Sequence, residues 1–161
     1  MSKRAYIGLG ANLASPARQI WQALHRLAAL PDSHLAGVSA LYQSSPMGPQ
    51  DQPDYINAVA ALDTMLSPEV LLDALQAIEQ RQGRLRQRRW GERTLDLDLL
   101  LYGNEQWHSP RLTIPHPGLS ERDFVLVPLA SLAPDLQLPD GRALASLTPL
   151  SHNLRLLTPA L

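Results

Sequence analysis

The 161-residue chain contains no cysteine, a single lysine and a single phenylalanine, and aromatics make up only 5% of it. Each scarcity removes a class of chemistry. Without cysteine there is no disulfide framework and no thiolate nucleophile or metal ligand. With Lys3 as the sole lysine, Schiff-base and P-loop lysine chemistry is nearly excluded. No stretch approaches the ~18 apolar residues of a membrane span, and no His-x-x-x-His or similar spacing points to zinc. A formal net charge of −1, with 18% charged residues, lacks the basic excess of a nucleic-acid binder. The opening Met1-Ser2-Lys3-Arg4-Ala5-Tyr6 leads directly into a strand pattern without a signal-type apolar region, so a cytoplasmic location is expected. At 45% hydrophobic, the chain has the balance of one globular domain spanning residues 1–161.

Arginine is what the chain has in quantity. Arg81, Arg84, Arg86, Arg88, Arg89 and Arg93 crowd one segment, with Trp90 in their midst and Glu92 the one acid among them. Guanidinium groups are planar, permanently charged forks suited to phosphate oxygens. The residues alone leave two readings open. One is a solvated charge run on the surface; the other is an anion-binding loop that closes over a site and excludes water.

The Arg-rich segment leads into Leu95-Asp96-Leu97-Asp98-Leu99-Leu100-Leu101. Side chains alternate along a strand, so Asp96 and Asp98 share a face, about 6–7 Å apart along the chain. Leu95, Leu97 and Leu99 point the other way, into a core. Alternating Leu and Asp also describes a strand with one wet face. The unbroken run Leu99 to Leu101 instead suggests a strand covered on both faces at its far end. Paired carboxylates at the mouth of such a strand suit hard divalent cations.

Strand patterns over Arg4–Gly10, Leu35–Tyr42 and Tyr55–Thr64 precede the Asp-bearing strand. Two helical stripes lie between them, Ile20, Leu24 and Leu27, then Leu71, Leu75 and Ile78. Each helix opens on Ser-Pro, at Ser15-Pro16 and Ser67-Pro68, an N-cap followed by proline at the first helical position. Gly83 is the expected stop of the second. The order strand, helix, strand, strand, helix, strand predicts an α+β fold with a ferredoxin-like β-α-β-β-α-β core, an antiparallel sheet carrying helices. Beyond Gly103, eight prolines imply an irregular C-terminal extension with a short helix near Phe124–Leu132 and a loosely held tail after about Pro149.

Three further groups stand out. Tyr55 and Asn57 share a strand face. Gln76 and Glu79, at i and i+3, are neighbours on the second helix, where a merely solvated face is the plainer reading. His116 sits between Pro115 and Pro117 in a stiff segment, with Arg111, Thr113 and Arg122 nearby in sequence.

These residues carry a resemblance. The chain resembles the 6-hydroxymethyl-7,8-dihydropterin pyrophosphokinase family over roughly residues 4–140. The shared text comprises Tyr6 to Leu13, Gly48 to Val59, Gly83-Arg84-Leu85-Arg86, Arg89 to Leu100, Pro115-His116-Pro117, Arg122 to Leu126 and Pro128-Leu129. The block Trp90-Gly91-Glu92-Arg93-Thr94-Leu95-Asp96-Leu97-Asp98 is its most specific part. Ser44 stands where many relatives carry threonine, and Pro117 replaces an aromatic seen in some members.

The resemblance implies transfer of a pyrophosphoryl group from ATP to the hydroxymethyl of 6-hydroxymethyl-7,8-dihydropterin, with release of AMP. It implies two Mg²⁺ ions held by Asp96 and Asp98, with Arg84 and Arg93 in the catalytic set. Ser44, Met47, Tyr55, Asn57, Trp90 and Phe124 match pterin-site positions, Tyr55 and Phe124 sandwiching the ring. Gln76, Glu79, Arg84, Arg86, Arg93, Leu99, Arg111, Thr113, His116 and Arg122 match positions that contact ATP or support its site. Arg86 and Trp90 fall in the loop that closes over both substrates. The expected partners are these small molecules, with no nucleic acid, no membrane and a monomeric chain. Two rival readings of the same residues are another two-metal nucleotidyl or phosphoryl transferase and a ferredoxin-like RNA-binding module.

Overall fold

A computed structural model describes residues 2–13, 15–45, 52–83, 95–147 and 154–157, the Asp123 side chain excepted. The chain begins with β1 (Lys3–Ala11), α1 (Pro16–Ala28), β2 (Ser33–Val38), β3 (Tyr42–Ser44), β4 (Tyr55–Thr64) and α2 (Pro68–Arg81). It continues with β5 (Asp96–Tyr102), β6 (Trp107–His108), β7 (Thr113–Ile114), α3 (Asp123–Leu132) and β8 (Leu154–Leu156). The main sheet has six strands in the order β5-β1-β4-β3-β8, with β2 pairing β4 alongside β3. The described pairings of β1 with β4 and β5, and of β4 with β2 and β3, are antiparallel. This is the expected α+β arrangement.

Each face of the sheet carries a core. Ile7, Leu9, Ala58, Ala60, Leu97 and Leu99 pack with Ile20, Leu24 and Leu27 of α1 and Leu71, Leu75 and Ile78 of α2. On the opposite face Tyr6, Val59, Ala61, Leu100 and Leu101 pack with Val125, Leu126 and Leu129 of α3. The Leu99-Leu100-Leu101 run follows from this two-sided burial and from a bulge. The β1–β5 register slips between Tyr6 and Ile7, which pair with Leu101 and Leu99, so Leu100 is the extra residue. Leu100 and Leu101 therefore both enter the α3-side core, where strict alternation would have sent one to each face.

Three local expectations change. The strand expected over Leu35–Tyr42 is two strands, broken at Ser39. There the Ser39 hydroxyl accepts the Val59 N–H at 2.9 Å and donates to the Ala40 carbonyl at 2.8 Å, taking the place of a ladder bond. Ser67 caps α2, its hydroxyl accepting from Val70 N–H, but Ser15 does not cap α1 with its side chain. Ser15 sits in the left-handed region with φ of 59°, and only its carbonyl serves the helix, accepting from Gln19 N–H at 3.1 Å. Finally, the region expected as a loose tail contains β8, which pairs antiparallel with β3. Gly83, with φ of +75°, lies just beyond α2 as expected.

Candidate active site

The site grows out of one end of the sheet. Cross-strand partners point to the same face, and the register aligns Tyr42 with Asn57, Asn57 with Gly10, and Gly10 with Asp96. In the neighbouring rows Ser44 opposes Tyr55, and Gly8 opposes both Val59 and Asp98. Thus Ser44, Tyr55, Asn57, Asp96 and Asp98 occupy one face, the α3 side, at the end where β4 and β5 begin. Gly10 keeps the middle of this row open. A Cβ there would lie 3.3 Å from the Asn57 Oδ1, tight enough to displace the amide. The Asn57 Nδ2 donates to the Ser44 Oγ at 2.7 Å, and both residues are buried.

His116 closes the carboxylate side. Its backbone N–H donates to the Leu100 carbonyl at 3.0 Å, which fastens the segment beside β5. Its Nδ1 accepts the Gly118 N–H at 3.0 Å, so the neutral ring carries its proton on Nε2. That Nε2 lies 3.9 Å from Asp98 Oδ1. Burial pushes the imidazole below its ordinary pKa; Asp98 opposes this and the Arg122 charge assists it. A neutral Nε2–H donor beside a carboxylate is well placed to donate to an anionic oxygen. Arg122 lies 5.8 Å above the centroid of Phe124, in cation–π geometry. Gly118 leaves room for the Arg122 side chain, since a Cβ there would lie 2.5 Å from its Nε and push the guanidinium aside. His116 also borders a cavity of about 260 Å³, shared with Pro115, Pro117, Leu119, Asp140 and Arg142.

The free edge of β5 faces α2 and β7. Glu79 is 7% exposed, and its Oε2 accepts the Leu97 N–H at 2.8 Å. The buried carboxylate therefore grips the strand between Asp96 and Asp98. Arg111 donates to Asp73, and to Gln76 Oε1 at 3.4 Å. The Asp73 hydrogen bond and charge hold the Arg111 guanidinium above its ordinary pKa. Thr113 follows on β7, half-buried. Leu99, another of the expected nucleotide contacts, lies on β5. Its side chain is 2% exposed and belongs to the helix-side core, so it reaches a ligand only through its main chain.

Of the residues singled out in the sequence, Met47, Arg84, Arg86, Trp90 and Arg93 lie outside the described residues. Two residues went unassigned. Asn12, 2% exposed, donates through Nδ2 to Gln52 Oε1 and to the Pro53 carbonyl, each at 2.9 Å. This buried amide pair ties the end of β1 to the segment that delivers Tyr55. Both residues lie in the motif blocks, yet an amide in a motif gives no sign of whether it meets ligand or chain. Among the described residues, no cluster of three or more His, Asp or Glu gathers around a point, and no helix is long and apolar enough to cross a membrane.

Comparison with known proteins gives this geometry its context. Residues 6–134 match the family model for 7,8-dihydro-6-hydroxymethylpterin-pyrophosphokinase. The chain is 58% identical over 147 residues to a Pseudomonas aeruginosa 2-amino-4-hydroxy-6-hydroxymethyldihydropteridine pyrophosphokinase, covering 91% of each chain. It is 56% identical over 143 residues to the Haemophilus influenzae protein of the same name, covering 89% of each. A Plasmodium falciparum HPPK-DHPS crystal structure with pteroate shares the fold, with a TM-score of 0.73 at 13% identity, over 91% of this chain and 42% of that longer one. The chain belongs to the 7,8-dihydro-6-hydroxymethylpterin-pyrophosphokinase family.

Proposed function

We propose that this chain transfers the pyrophosphoryl group of ATP to the hydroxymethyl oxygen of 6-hydroxymethyl-7,8-dihydropterin, a step of folate biosynthesis. The pterin oxygen bonds to the β-phosphorus and gives up its proton. The bond from that phosphorus to the α-bridging oxygen breaks, and AMP leaves. The observation that carries this reading is the single sheet face on which Asp96 and Asp98 stand beside Asn57, Tyr55 and Ser44. Family membership favours it over a palm-like nucleotidyltransferase or an RNA-binding module.

The donor set fits magnesium. Asp96 and Asp98 supply hard oxygens from a half-exposed strand end, and the few protein ligands leave coordination positions to phosphate oxygens and water, as Mg²⁺ prefers. Asp96 and Asp98 would hold two ions, whose charge neutralises the triphosphate and favours the attacking and leaving oxygens. The protein's own share is positioning, which dominates transfers of this kind. Tyr55 and Phe124 flank the flat ring, and Asn57 and Ser44 bond its polar edge. His116 donates from Nε2 to a phosphate oxygen; Arg122 and Arg111 supply fixed charge, with Thr113, Gln76 and Glu79 shaping the nucleotide side. Arg84, Arg86, Arg93, Met47 and Trp90 complete the set on the family pattern. The chain acts as a monomer in this scheme.

The test incubates the purified protein with ATP, Mg²⁺ and 6-hydroxymethyl-7,8-dihydropterin and resolves the nucleotides. AMP that forms only when the pterin is present supports the reading. ADP as the product, or no turnover by folded protein, overturns it.

A further inference from the structure

The family match ends at residue 134, but the sheet does not. β8 lies beyond it and adds a strand to β3, next to the proposed pterin face. β3 is only three residues long, so its ladder to β4 supplies few main-chain bonds to fix it. β8 supplies its second partner. Tyr42, Gln43 and Ser44 oppose Leu156, Arg155 and Leu154, and the Leu157 N–H donates to the Leu41 carbonyl at 2.8 Å. By the alternation of antiparallel ladders, Gln43 and Arg155 then exchange main-chain bonds. Ser44 and Leu154 form the closer, non-bonded kind of pair.

Two features link this strand to the site. Leu154 falls on the same face as Ser44, and hence as Tyr55 and Asn57, and is half-buried there. On the other face a polar chain crosses three segments. The Arg155 guanidinium donates to Gln43 Oε1 at 3.1 Å, and Gln43 Nε2 donates to Asp54 Oδ2 at 3.0 Å. Asp54 directly precedes Tyr55. One residue of β8 thus bears on both ends of the Ser44–Tyr55 pair.

We propose that β8 is a working part of the pterin site: it pins β3 so that Ser44 orients the Asn57 amide, and it sets Leu154 as an apolar side wall beside Ser44. Arg155 is a positioning residue, acting through Gln43 and the β3 ladder. Leu154 is a lining residue that favours a flat, weakly polar ring edge at this end of the site. The inference rests on the reading of Ser44, Tyr55 and Asn57 as the pterin face.

The test measures binding of 6-hydroxymethylpterin and of α,β-methylene-ATP separately, by calorimetry on full-length protein with Mg²⁺. Arg155→Pro, which removes both the ladder donor and the guanidinium, weakens pterin binding about tenfold and leaves the nucleotide within twofold. Leu154→Ala, which keeps the ladder, weakens the pterin about fivefold. Tyr55→Ala is run beside them. If it weakens pterin binding while both β8 variants bind normally, the inference falls and the pterin-face reading stands. If all three bind normally, the pterin-face reading falls and the inference with it. Equal losses for pterin and nucleotide in Leu154→Ala would show β8 acting through general stability, and would also overturn it.

Discussion

At the scale of single residues, the proposed site divides into groups assigned to ligands and groups that hold those groups in place. Asp96 and Asp98 are of the first kind. They are half-exposed at a strand end, so replacing them removes charge without opening a core. Asp96→Ala and Asp98→Ala should each lower AMP production on the order of a thousandfold or more, as expected when metal-held charge is lost. Their Tm should stay within about 3 °C of the parent. A nucleotide assay and a thermal melt check both parts, and near-full activity in either variant would remove it from the metal platform. Glu79 is of the second kind, since its carboxylate accepts the Leu97 N–H between the two aspartates. Glu79→Gln keeps an acceptor for that bond and should retain most of the fold's stability. Glu79→Leu takes the acceptor away from a buried donor, at a cost of about 1–3 kcal/mol, read as a Tm lower by roughly 3–10 °C. Equal Tm values for the two variants would mean that the Leu97 bond is not what Glu79 contributes.

At the scale of elements, much was legible in the sequence because each helix and strand carries its own period. The stripes of α1 and α2, the Ser67-Pro68 cap and the alternation of Asp96 and Asp98 are local patterns, and local patterns survive folding here. What escaped depended on partners far along the chain. Nothing around Ser39 marks a break, since its hydroxyl ends one strand only because Val59, on β4, supplies the N–H. β8 escaped for the same reason, because Leu154–Leu156 becomes a strand only through the edge that β3 offers. Within the proposed site, the paired carboxylates stood out by type and spacing, while Phe124 was assigned only through the family resemblance. The Gly10 opening and the Asn12–Gln52 tie needed the cross-strand register and the buried neighbours before their roles could be seen. The Ser39 bond can be tested. Ser39→Ala leaves the buried Val59 N–H without that acceptor and should cost about 1–3 kcal/mol, with faster amide exchange at Val59 than at its strand neighbours. Unchanged exchange at Val59 would show that the β2–β3 break does not depend on the hydroxyl.

For the whole molecule, the sheet serves two masters. One face is closed by α1 and α2; among the described residues α3 closes only part of the other, and the end with Asn57, Asp96 and Asp98 is the one proposed for ligands. Stability must then come from elsewhere than the open end, and part of it lies at the opposite end, where β1 and β4 pair Arg4 with Asp63. Two Arg4 nitrogens, Nε and Nη2, donate to the two Asp63 carboxylate oxygens, the bidentate geometry that suits a guanidinium fork. That hydrogen bonding holds the Asp63 carboxyl below the usual carboxylate range, with the Arg4 and His34 charges adding to it and burial opposing. A carboxyl depressed in the folded state stabilises the fold above its unfolded pKa, and the contribution is lost as pH falls through the folded value. Most of the Asp63 side chain is shielded, yet the pair is solvent-screened, so it is worth at most about 1 kcal/mol. Asp63→Asn should therefore lower Tm by roughly 2–4 °C at pH 7, and the gap to the parent should close as pH falls below the ordinary carboxylate range. Melting curves over that acid range decide the matter: a gap that stays constant down to the lowest pH at which the protein folds would assign the loss to side-chain shape and not to the ion pair.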